Sequence, residues 1–171
     1  MSVTNANVQG KQNFWHLKRM VVMAFFIALS VVGAMLKIPS PTGTVALDSA
    51  PGFLGAALLG WREGALIAAL GHLISSYTAG LPLSLPIHLL IALEMAIAAA
   101  LYAVLIRKTN MFVTVGAVTI INGVGMPLSM APIFGMGFFY SMLLPLVVAS
   151  FVNTLAAALC HKALKNSSLE L

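Results

Sequence analysis

Residues 83–106 read "LSLPIHLLIALEMAIAAALYAVLI". One carboxyl group, Glu94, and one imidazole, His88, interrupt a run that is otherwise apolar or small. Crossing the hydrocarbon of a bilayer takes a helix of about 20 apolar residues, so this stretch predicts a transmembrane helix with an acid near its middle. Similar runs occupy 19–37, 111–131 and about 136–163. The whole chain agrees: its 171 residues are 60% hydrophobic and 8% charged, with a mean hydropathy of +1.01. Soluble domains carry about 25% charged residues. A core of this size could not hide so much apolar surface from water, and the reading is an all-α integral membrane protein.

Two shorter apolar runs, 50–60 and 64–80, flank "WRE" at 61–63, giving an expected bundle of six transmembrane helices. The 50–60 run is too short to span alone. The segment before it, 37–52, reads "KIPSPTGTVALDSAPG" and is unusually polar and stiff. Irregular backbone at membrane depth is tolerated only when packed in protein or lining a cavity, so 37–52 is expected to be a folded element at a site. If both termini are cytoplasmic, the tails, "WRE" and "IRKTN" hold eight of the nine Lys and Arg residues, and the outer segments hold only Lys37. The positive-inside rule then orients the bundle with its structured loop outward. The expected organisation is a cytoplasmic tail at 1–18, one membrane domain at 19–163 and a short tail at 164–171. The first apolar run is read as a retained helix and not a signal peptide. The cations sit at the ends of apolar runs, which fits an anionic lipid surface and not nucleic acid. Cys160 is alone, so no intramolecular disulfide forms.

A charged group inside a bilayer marks a pathway or a site, and Glu94 is the leading candidate. Its alternative is a hydrogen-bonded packing role, paired with His72. His72, Ser75 and Ser76 share one face of the third helix at i, i+3 and i+4, as ligand contacts or as polar contacts between helices. His88 and Glu94 lie six residues apart and so flank a groove. Thr119, Asn122, Met126 and Ser129 form a stripe on the fifth helix; Asn122 is balanced between ligand and helix contact. Asn153, deeper on the sixth helix, is assigned to helix packing. Asp48 precedes "SAPG", where it either caps a helix with Pro51 in the first turn or meets a ligand.

Several chemistries are missing. No GxxxxGK[ST] is present, so the chain has no P-loop of its own. No His pair has metal-ligand spacing, and neither a metal nor a cofactor is expected. Lys37 as the lone outer cation disfavours multiply anionic ligands. Phe53, Tyr77, Phe134, Phe138, Phe139 and Tyr140 are the aromatics open to an outward pocket. Two readings of other classes stand beside capture of a small molecule: an intramembrane enzyme using Glu94 with His72 or His88, and a ligand-free structural subunit.

Across about 19–163, the chain resembles the substrate-binding S components of energy-coupling factor (ECF) vitamin transporters. The resemblance rests on six short helices with inward tails, the AxxxA of Ala24 and Ala28, the long loop after helix 1, and "PGFLGAALLGWREGALIAALGHL". It implies a bacterial plasma-membrane subunit that captures a vitamin from outside, using that loop and helices 4 to 6. Partnership with a transmembrane T component and two cytoplasmic ATPases follows, which accounts for the missing P-loop. Ala24 and Ala28 become the docking face for the T component, and the 37–50 segment becomes a lid. Glu94, His88, Asn122 and Tyr140 become pocket candidates, with Asp48, His72 and Thr44 beside them. The stretch "SPTGTVALDSAPG" is similar to the branch assigned to α-ribazole, a benzimidazole nucleoside precursor of cobalamin. Pantothenate and thiamin are the alternatives.

Overall fold

The computed structural model describes residues 3–40 and 43–166, with side chains from residue 16 onward except at 43 and 44. The chain runs α1 (Val3–Gly33), β1 (Lys37–Ser40), β2 (Gly43–Ala46), α2 (Ala50–Leu59), α3 (Trp61–Thr78), α4 (Leu85–Lys108) and α5 (Met111–Ile120). A π-helical turn at Ile121–Gly125 leads into the short helices α6 (Met126–Ser129) and α7 (Ala131–Phe134), and α8 (Met136–Asn166) closes the bundle.

Among the described residues, four segments are long and apolar enough to cross a membrane: His16–Gly33, Leu85–Lys108, Met111–Phe134 and Met136–Asn166. Helix α2 has ten residues and falls short of a span, while α3 is long enough but more polar. The six helical segments expected from sequence are therefore present, but two of them owe their place to packing and not to length and hydropathy. Helix α1 begins at Val3, so the polar stretch 3–18 is helical and continuous with the first apolar run.

The expected break at "WRE" is absent. Trp61, Arg62 and Glu63 form the first turn of α3, and the chain reverses at Gly60 alone, with φ at 127°. That conformation is open to glycine because it has no Cβ. Within the 37–52 segment, expected as a folded element of irregular backbone, Lys37–Ser40 and Gly43–Ala46 pair as an antiparallel hairpin, in the register Lys37↔Ala46, Ile38↔Val45, Pro39↔Thr44 and Ser40↔Gly43. Both strands are edges, where Pro39 can sit without a donor being missed. Ile38 and Val45 pair across it, as β-branched residues favour.

The core is built from small residues. Ala56, Ala57, Ala68, Ala98, Ala99, Ala103 and Ala157 cluster around Phe53, Met95, Tyr102 and Val118. The Phe53 and Tyr102 rings lie 5.2 Å apart. Lipid gives helices no hydrophobic drive to associate, so close backbone approach must supply the attraction through dispersion. The tightest contact is between α2 and α3. A Cβ on Gly64 would collide with Ala56, and one on Gly52 would lie 2.8 Å from the Ala68 Cβ. At Gly123, a Cβ would come 2.7 Å from the Val147 Cα, which sets how near the π-helical turn lies to α8. At the end of the bundle away from the hairpin, Arg19 Nη1 meets Glu63 Oε1 at 3.1 Å. There Arg107 also donates to the Ala57 carbonyl at 3.2 Å, satisfying one of the open carbonyls at the end of α2.

Gly64→Leu should force α2 and α3 apart and destabilise the protein by about 1–3 kcal/mol. Gly116, with nothing near its missing Cβ, should accept alanine with no loss. Thermal melting in detergent, followed by size-exclusion chromatography, separates the two.

Candidate functional site

Beneath the hairpin lies a cavity of about 610 Å³. Lys37, Val45 and Ala46 of the hairpin close it on one side, and the 79–83 turn contributes Ala79, Pro82 and Leu83. Its walls carry Asp48, His72, His88, Glu94 and Asn122 together. Its floor and sides are soft: Met95, Met126, Met130 and Met142 all line it, with Phe138. This is the scale of a pocket for one small organic ligand, mostly apolar with a few converging polar groups.

Each polar group is held by identifiable bonds. On α4, Glu94 Oε1 accepts from Ser129 Oγ, while Oε2 is buried with no hydrogen-bond partner among the described residues. The expected pairing of Glu94 with His72 is not found. His72 instead lies with Nδ1 3.6 Å from Asp48 Oδ2 and Nε2 3.2 Å from His88 Nδ1. Asp48 also accepts from Ser75 Oγ. It does not cap α2: Ser49 holds the cap position without a side-chain bond. The first amide of α2, Ala50 N, donates to Asn153 Oδ1 of α8 at 2.9 Å. Asn153 thus acts as a structural contact between helices, and it borders the cavity as well.

Asn122 sits in the π-helical turn. Such a bulge re-aims side chains and is frequent at functional sites. Its Nδ2 donates to Ser150 Oγ at 2.8 Å, and its Oδ1 is buried without a partner among the described residues. Below it, Thr119 and Thr154 hydroxyls bond at 3.0 Å, and Thr154 also donates to the Ser150 carbonyl. That ladder ties α5 to α8 and is spent on the fold.

Tyr140 is not brought to the cavity; it is 67% exposed on the outer surface of α8. The Thr44 side chain lies outside the described residues. Of the aromatics weighed from sequence, Phe138 alone lines the cavity, while Phe53 is core and Tyr77 is exposed. The methionine lining was not anticipated beyond Met126, although Met126 and Met130 continue the Asn122 stripe at four-residue steps. On α1, Ala24 and Ala28 are exposed and neighbour Phe25, which is 60% exposed.

Asn153→Ala would strand the Ala50 amide. A buried donor left without a partner costs about 1–3 kcal/mol. The variant should melt earlier with or without a bound small molecule, as read by thermal unfolding in detergent.

Among curated proteins no match is found. The chain does match the family model described as "ECF transporter, substrate-specific component" over residues 18–164. That span takes in every element lining the cavity, and the chain belongs to the family of substrate-specific components of ECF transporters.

Proposed function

We propose that the cavity beneath the hairpin is the capture site for a small hydroxyl-bearing heteroaromatic that is neutral or weakly basic, with α-ribazole as the leading case. The coarse role follows from family membership: a membrane subunit that binds substrate for an importer and works with T and ATPase components. The observation that carries the finer reading is the pair of buried acceptors without partners, Glu94 Oε2 and Asn122 Oδ1. Buried polar atoms are almost always paired, so a ligand that brings O–H or N–H donors satisfies both. A carboxylate ligand would face Glu94 and Asp48 with only Lys37 among the lining residues to offset them, which weighs against pantothenate. Ribose hydroxyls suit the two acceptors, and the benzimidazole suits Phe138 and the methionine wall. The similarity of "SPTGTVALDSAPG" to the α-ribazole branch adds to this choice.

The reading keeps six helical crossings with both termini cytoplasmic, supported by the distribution of Lys and Arg. It makes the exposed Ala24–Ala28 face of α1 the contact for the T component. Acid–base chemistry by Glu94 with an imidazole finds little support, because the facing nitrogens of His72 and His88 are engaged with each other and with Asp48.

Mass spectrometry of small molecules released from the purified protein tests the assignment. A benzimidazole nucleoside supports it, and a carboxylate vitamin overturns it. Glu94→Gln should weaken ligand affinity at least about tenfold, or 1.4 kcal/mol, while leaving assembly with the energising subunits intact. Ala24→Trp should have the opposite effect, retaining ligand and losing uptake. Unchanged uptake in Ala24→Trp removes the docking face.

A further inference from the structure

The two histidines of the cavity wall belong to a hydrogen-bond chain with a single direction. Leu83 N–H donates to His88 Nε2 at 3.4 Å, so that nitrogen carries a lone pair and the His88 proton sits on Nδ1. His88 Nδ1–H then donates to His72 Nε2 at 3.2 Å, which puts the His72 proton on Nδ1, facing Asp48 Oδ2 at 3.6 Å. Both imidazoles are neutral in this arrangement, and each of the two hydrogen bonds has one donor and one acceptor.

The chain cannot accept a proton and stay whole. With one added proton, the pair of rings retains a single lone pair. Two contacts, ring to ring and Leu83 to His88, each need one. Whichever ring takes it, one of these two contacts is left with a donor facing a donor. The longer of the two contacts gives way, and it is the one to the turn.

In that turn the Ala79, Gly80, Leu81 and Ser84 amides donate to backbone carbonyls, and the Leu83 amide is the one that relies on a histidine. Gly80, Leu81 and Ser84 hold φ at 84°, 51° and 74°. For Leu81 and Ser84 this left-handed backbone is strained and persists only where the surroundings enforce it. Pro82 contributes no amide to hold it. Pro82 and Leu83 also line the cavity. The geometry points to an acid-sensitive latch: Asp48, His72 and His88 hold the α3–α4 turn against the cavity while both rings are neutral, and release it when the pair takes up one proton. The other titratable groups facing this cavity are Lys37 from β1 and Glu94 from α4. Helix α8 and the π-helical turn contribute only uncharged polar groups, Ser150, Asn153 and Asn122. Histidine is the side chain that changes charge in the mildly acidic range, so the switch belongs to these two rings.

The consequence for ligand exchange rests on the capture-site reading, but the latch itself is measured without ligand. Hydrogen–deuterium exchange of the full chain in detergent, at about pH 7.5 and about pH 5.5 and corrected for intrinsic rates, reads the 79–84 amides against the core of α4. On acidification, exchange at 79–84 should rise at least about threefold relative to α4. His88→Gln and His72→Gln should abolish that rise. No rise in the unmodified protein, or the same rise in the glutamine variants, overturns the latch. Mass spectrometry of retained small molecules at the same two pH values reports on the capture site separately.

Discussion

A ten-residue helix that starts inside the bundle leaves its first amides without solvent to bond, and the fold is arranged around meeting that demand. Asn153 of α8 reaches Ala50 N at the start of α2, so α8 cannot shift along α2 without exposing a donor to hydrocarbon. At the other end of α2, Arg107 of α4 takes up the Ala57 carbonyl. Between these two bonds the helix is clamped by surfaces of glycine and alanine close enough that a single Cβ would collide. The short helix is thus a wedge held at both ends, and its start, with Ser49, forms part of the cavity boundary.

With those groups satisfied, the polar atoms of the half nearer the hairpin divide sharply. The Thr119–Thr154 pair, Ser150 and Asn153 are consumed in holding helices together. Asp48, Ser75, His72 and His88 satisfy one another. Glu94 and Asn122 are different, each with one oxygen buried beside the same hollow and without a partner among the described residues. In a low-dielectric setting an unmet acceptor is expensive, and two of them facing one space are most simply completed by whatever fills it.

Much of this was legible in the chain. Polar residues inside apolar runs must turn away from lipid, which by itself gathers Glu94, His72, His88 and Asn122 toward a common interior. The partners of those residues were not legible. Whether Asp48 caps α2 or faces His72 depends on where α3 packs beside the segment before α2, a distance that no local pattern encodes. The break between α2 and α3 was expected over three polar residues and falls on Gly60 alone, because Trp61 to Glu63 can start a helix as readily as they can form a loop. The hairpin was hidden by its prolines, which mask the alternation of a strand. Tyr140 looked suited to a pocket by composition, yet the rotation of α8 carries it to the outer surface.

The thioethers of Met95, Met126, Met130 and Met142 give the hollow a compliant wall. Unbranched and polarizable, they can re-form around rings of different outline with little strain, whereas the two fixed acceptors cannot move without breaking helix contacts. On the proposed reading of this hollow as the capture site, shape discrimination is loose and hydrogen-bond discrimination strict. A change of cargo would then call for new polar positions on α4 or the π-helical turn long before a new interior volume.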